Sequence, residues 1–151
     1  MATVSDVAAY ILERKGAVTT WKLQKLVYYS QAWSLVWDEE PLFGEEIQAW
    51  INGPVCPALY EEHKGKFKID EMPSGDPRNL NQNQKETIDV VLGFYGDRAP
   101  HWLSNLTHME DPWQKARVGL SMRERGNSTI TLDSMADYYG SIHTDDPAPF
   151  E

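Results

Sequence analysis

Between Trp21 and Trp37 the chain reads WKLQKLVYYSQAWSLVW, and after Lys25 it carries no formal charge until Asp38. Three of the six tryptophans fall in these seventeen residues, although the chain as a whole is 25% charged. No other segment restricts the fold as strongly. A membrane span needs about 18 or more apolar residues without charge, and here Lys25, two glutamines and two serines intervene. The start signals are those of a helix: Thr19 as N-cap, with Val18 and Leu23 placed for a hydrophobic staple. At 100° per residue Leu23, Leu26, Val27, Trp33 and Trp37 share one face, while Tyr28, Ala32 and Leu35 lie opposite. Only Gln24 and Gln31 form a narrow polar strip. A helix apolar nearly all round is normally surrounded by protein, so residues 19–37 are expected to form a central helix about 25 Å long.

The rest of the chain reads as elements laid around that helix. Val4, Val7, Ala8, Ile11 and Leu12 recur at helical spacing, with Thr3 or Ser5 as cap and Gly16 as stop. Ile47–Ile51 alternates as a short strand before the turn signal Asn52-Gly53-Pro54, and Lys66–Asp70 offers a second strand. Pro57 suits the first turn of a helix carrying Leu59 and Tyr60. Ile88, Val91, Leu92 and Tyr95 mark an amphipathic helix with Asn83 and Glu86 as a capping box. Pro100 opens another helix, Asp111-Pro112 a further one, and Met135, Tyr138, Tyr139 and Ile142 mark the last. The expectation is a mainly α, compact single domain of about five to seven helices, with room for a short two-stranded β ribbon. It spans residues 1–143, followed by an acidic tail over 144–151.

Charge and motifs narrow the function. Acidic residues outnumber basic ones 23 to 14, a net charge of −9. Proteins that grip nucleic acid draw most of their affinity from Lys and Arg displacing counterions, so nucleic acid is not expected as the primary partner. A single cysteine, Cys56, leaves no intramolecular disulfide and no thiolate zinc site. With no signal-peptide pattern at the start, a cytoplasmic protein is expected. Phosphate loops, nucleophile elbows, zinc-protease motifs and dinucleotide fingerprints are missing from the sequence. Nothing points to catalysis, a cofactor or a metal.

Three clusters are more specific than a core requires. They are Lys22-Leu23-Gln24-Lys25-Leu26 with Tyr28-Tyr29; Ala49-Trp50, Gly53-Pro54-Val55 and Pro57-Ala58-Leu59-Tyr60; and Thr107-His108-Met109-Glu110 with Trp113. Together with Pro41-Leu42-Phe43, and in this order, they resemble the Panacea domain of SocA-like antitoxins from bacterial and phage toxin–antitoxin pairs. The resemblance covers about residues 5–142. It implies a non-enzymatic antitoxin that neutralises a cognate toxin by protein–protein contact. Some such domains inhibit directly, and one type hands its toxin to an AAA+ protease. The alternative is a phage or mobile-element interaction protein or proteolytic adaptor of the same fold, acting on a host protein without a linked toxin.

Residue roles follow as expectations. Leu23, Leu26, Trp33 and Trp37 belong to the core. Lys22 or Lys25 pairs with a fixed acid such as Glu110; Gly53 and Pro54 set a turn; Thr107, His108 and Glu110 share a polar cluster. Partner contact is assigned to the acidic loop, where Asp38, Glu39 and Glu40 flank Leu42 and Phe43. Toxins that act on nucleic acids carry basic surfaces, which an acidic patch would steer and cover.

Overall fold

A computed structural model describes residues 2–145, with side chains as far as Ile142. Helix α1 (Val4–Lys15) starts on a reciprocal cap between Thr3 and Asp6 and stops at Gly16. Strand β1 (Val18–Thr19) leads into α2 (Thr20–Trp37), whose cap is Thr19 accepting from the Lys22 amide. A hairpin of β2 (Ile47–Trp50) and β3 (Gly53–Val55) follows, then α3 (Pro57–His63) and β4 (Lys68–Ile69). A short 3-10 turn, Pro77–Asn79, precedes α4 (Gln82–Tyr95). The chain continues through α5 (Pro100–Met109), α6 (Asp111–Ala116), β5 (Thr129–Ile130) and α7 (Leu132–Asp145). The fold is mainly α, a single compact domain with seven helices among the described residues. Because α7 runs through Asp145, the first two residues assigned to the tail are helical. The remainder of that tail lies outside the described residues.

The central helix is where the sequence places it. Helix α2 packs against α1, α4, α5, α7 and β3, which bury it from Leu23 to Ser34 and leave Trp21 exposed near its start. Leu23, Leu26, Val27, Tyr28, Tyr29, Ala32 and Trp33 are all buried. Burying a large apolar side chain contributes about 1.5–3 kcal/mol relative to exposure, and α2 supplies the largest share of such residues. Its polar strip is also buried, and each glutamine works as a clamp on backbone. Gln24 donates to the Cys56 carbonyl at 3.3 Å and accepts from the Cys56 amide at 2.9 Å. Gln31 donates to the Phe43 carbonyl at 3.0 Å and accepts from the Leu42 amide at 2.7 Å. Two loops that lack secondary structure of their own thereby satisfy their buried peptide groups.

The β structure differs from the expected single ribbon. Lys68–Ile69 does not pair with the Ile47–Ile51 segment; it pairs antiparallel with Val18–Thr19 just ahead of α2. The carbonyl of Phe67 also accepts from the Thr20 amide at 3.0 Å, satisfying one of the orphan N–H groups that begin α2. Gly53 and Pro54 do more than turn, because Gly53–Val55 is itself a strand paired to β2. The partner on the other edge of β2 is β5, a strand too short to leave a periodic signal. The cap of α4 lies two residues before the expected Asn83: Asn81 and Gln84 form the box. Asn83 is instead free to donate to Asp38.

Candidate interaction site

The residues singled out in the sequence converge on the N-terminal half of α2. Lys25 lies one turn in and is fully buried, 0% exposed. Gly53 makes room for it. The glycine has φ +127°, and a Cβ there would stand 2.6 Å from the Lys25 Cε and 3.1 Å from both Lys25 Nζ and the Thr107 hydroxyl. Thr107 donates its own proton to the Ser104 carbonyl at 2.8 Å. The Lys25 ammonium has no hydrogen-bonding partner among the protein atoms, and it lies over the Trp21 ring, 5.3 Å from Nζ to ring centroid. Burial without compensation pulls its pKa from 10.5 down to about 7.

The expected pairing of Lys22 or Lys25 with Glu110 does not occur. Glu110 accepts hydrogen bonds from the Tyr29 and Tyr139 hydroxyls, each at 2.7 Å, and Tyr28 meets Tyr139 at 3.0 Å. Burial raises the Glu110 carboxyl to about 7, with the two tyrosine hydrogen bonds opposing the rise. The carboxyl thus belongs to a tyrosine cluster that ties α2 to α7, completed by Tyr95 stacked on Tyr29 at 4.0 Å. Thr107 and His108 belong instead to the Lys25 side. Lys22 is partly buried near Lys15, which lowers its pKa after burial itself.

His108 is stacked on Trp113 with ring centroids 4.1 Å apart, and its Nε2 is buried without a partner. Burial and then the nearby Lys25 charge lower its pKa. Trp113 donates to the Trp50 carbonyl at 2.8 Å, and the Arg117 guanidinium covers its other face at 4.9 Å. Buried Arg117 also donates to the carbonyls of Ala49, Ser121 and Glu124, locking the loop after α6 onto β2. No sequence pattern marked Arg117, because its partners are backbone atoms of residues distant in the chain.

Above this floor three shallow hollows run together. The first, about 360 Å³, is walled by Trp21, Trp50, Tyr60, His63, Lys64, Lys66 and Phe67. The second, about 400 Å³, shares Trp21 and Phe67 and is completed by Asn52, His101, Asn105 and His108. The third, about 570 Å³, shares Trp50 and Tyr60 and adds Arg125 and Asn127. Trp21 is 42% exposed and Phe67 73% exposed, an unusual allotment for large apolar residues that stand together. Among the described residues no acidic side chain lines any of the three hollows, in a chain of net charge −9.

The acidic loop is built differently from its expected role. Leu42 and Phe43 are fully buried beneath it, held by Gln31, and cannot form its contact surface. Asp38 is partly buried and accepts from the Asn83 amide at 2.9 Å and the Thr87 hydroxyl at 2.7 Å, joining the end of α2 to α4. Glu39, with φ +57°, and Glu40 remain exposed. Cys56 is buried, and burial pushes its thiol up to about 11, the behaviour of a small core residue rather than a nucleophile. Among the described residues no helix is long and apolar enough to cross a membrane, and no group of histidine, cysteine and carboxylate side chains is arranged for a metal ion.

An all-round buried helix carrying Lys22 to Tyr29, a hairpin carrying Trp50 and Gly53-Pro54, and a helix end carrying Thr107, His108, Glu110 and Trp113 make one structural unit. Residues 23–114 match the family described as antitoxin SocA-like, Panacea domain, and the chain belongs to that family. Curated proteins and solved structures gave no match.

Proposed function

We propose that this protein is an antitoxin that binds a toxin protein directly and neutralises it in the cytoplasm, without catalysis. The family match over residues 23–114 carries the reading. The surface is in keeping with it: an aromatic depression of about 360 Å³ walled by Trp21, Trp50, Tyr60 and Phe67. Aromatic side chains dominate the energetics of protein interfaces. Groups of the kind that carry chemistry are engaged otherwise, with Glu110 held by two tyrosines and Cys56 sealed in the core.

The test is co-expression with the open reading frame adjacent to this gene. Lethality of that frame when expressed alone, relieved by this chain, supports the antitoxin reading. Purification of a complex and the level of the toxin then separate inhibition, which leaves toxin abundance unchanged, from delivery to a protease, which lowers it. An adjacent product that is harmless, or harmful and unaffected by this chain, rejects the reading.

A further inference from the structure

The aromatic depression has a second property that its overall charge obscures. Among the described residues its lining carries Lys64, which is paired to Glu61 at 3.0 Å, with Lys66 and Arg125 and no acid, and near it lie two polar nitrogens with no protein partner, Lys25 Nζ and His108 Nε2. His108 lines the second hollow, and the Lys25 charge is close enough to act on its ring. Lys25 lies under Trp21 and against Gly53, and Trp21, Asn52 and His108 line the second hollow directly above. The ammonium itself lines none of the three hollows; it lies behind the second one, beneath the Trp21 indole. The Trp21 indole donates no hydrogen bond and is 42% exposed, so turning it aside breaks none.

We propose that Lys25 and His108 receive a carboxylate, the side chain of an Asp or Glu in a segment of the partner protein whose flanking apolar residues pack on Trp21 and Phe67. This rests on the reading of the protein as a partner-binding module and names the chemistry by which the partner is recognised. Leaving an ammonium buried and unpaired is costly, since the full desolvation penalty stands with nothing to offset it. An arriving carboxylate supplies the missing charge and acceptors at once. Charge-assisted hydrogen bonds made in a dry site are about twice as strong as neutral ones. Gly53 keeps the lysine stem from being crowded out, and the Trp113 stack holds the His108 ring in place.

The alternative occupant with suitable charge is a single nucleic-acid strand stacked on the aromatics. The single enclosed ammonium suits one carboxylate rather than a row of phosphates, and the protein's net charge of −9 repels a polyanion. A carboxylate on a mixed protein surface meets no such opposition.

The probes are two capped peptides, acetyl-Ala-Phe-Asp-Leu-Ala-amide and its Asn twin, titrated calorimetrically into the whole chain. The Asp peptide should bind at least about 10-fold more tightly than the Asn peptide, equivalent to about 1.4 kcal/mol. Lys25→Met should abolish that preference, and His108→Phe, which keeps the stack on Trp113, should reduce it. At pH 8 binding of the Asp peptide should take up close to one proton per site, read as a difference in heat between phosphate and Tris buffers; a merely structural lysine would show none. Equal affinity for the two peptides, no binding of either at millimolar concentration, or an undiminished preference in Lys25→Met overturns the proposal. Tighter, Lys25-independent binding of an eight-nucleotide single-stranded RNA overturns it in favour of nucleic acid. Neutralisation that survives Lys25→Met would reject the carboxylate site and leave the antitoxin reading intact. Asp-selective peptide binding by a chain that neutralises nothing would do the reverse.

Discussion

Replacing Lys25 by Met should make this protein more stable, which is unusual for a fully buried position. The variant keeps an unbranched stem against Gly53 and Trp21, ends in a methyl at the Cε position and removes the unpartnered ammonium. In the unfolded chain Lys25 holds its proton up to pH about 10.5; in the fold it does so only up to about 7. Between those values the unfolded state binds more protons, so the stability of the native protein rises with pH across this window. Below pH 7 both states are charged and the full penalty stands. Each pH unit of the gap corresponds to about 1.4 kcal/mol. The penalty at pH 7 is therefore roughly 4 kcal/mol, an upper figure, and Lys25→Met should recover about 2–4 kcal/mol. In urea, where m is about 2 kcal/mol/M for a small domain, this moves the midpoint by roughly 1–2 M. The discriminating measurement is the difference between wild type and variant at pH 7 and pH 9. It should shrink by about 2 kcal/mol over that interval, since titrations elsewhere cancel in the difference. A variant less stable than wild type at pH 7, or a difference independent of pH, would refute the account of Lys25 as an uncompensated buried charge.

Gly53→Ala forces a Cβ to within 2.6 Å of Lys25 Cε at φ +127° and should cost about 2–4 kcal/mol in denaturant unfolding. Combining it with Lys25→Ala should return at least about 1 kcal/mol of that loss in a double-mutant cycle. Glu110 titrates with the opposite sign to Lys25: its folded pKa is raised to about 7, so its contribution is present at low pH and is lost as pH rises from about 4.5 through 7. Glu110→Gln, which keeps the acceptor for Tyr29 and Tyr139, should flatten stability over that interval by up to about 3 kcal/mol, measured by unfolding at pH 5 and pH 7. Phe67→Ser should change stability by less than about 0.5 kcal/mol yet impair neutralisation in the co-expression assay. Glu39→Lys with Glu40→Lys should leave neutralisation intact if the aromatic depression is the contact surface, and impair it if the acidic loop is.

The central helix was legible because its evidence is local and repeated. A cap at Thr19, a break after Trp37 and apolar residues on both faces between them permit little else. The helix starts at Val4, Pro57 and Pro100 were legible for the same reason, each marked by a cap or a proline beside a periodic run. The sheets were not. Strands of two to four residues, such as Lys68–Ile69 and Thr129–Ile130, carry too few alternations to reveal a partner. Pairing is decided by which loops the helices bring together. The site was half legible. Its motif residues were found, but the Lys22/Lys25 pairing to Glu110 failed because the hydroxyls of Tyr29 and Tyr139 occupy that carboxyl. Leu42 and Phe43 were misplaced at the surface because nothing in their immediate sequence shows that Gln31 reaches across to bind their backbone.

Sequence by itself determined the family, the mainly α fold and the buried aromatic helix at its centre, since all three rest on residue type and spacing along one chain. Tertiary structure alone decided which polar residues of that helix are clamps, which is an unpaired charge, and where an acid-free aromatic surface opens on an acidic protein. Those properties depend on burial and on partners supplied by distant segments. Gln24 and Gln31 find backbone groups when the loops close over them, Glu110 finds tyrosines, and Lys25, enclosed by Trp21, Gly53 and Thr107, finds none.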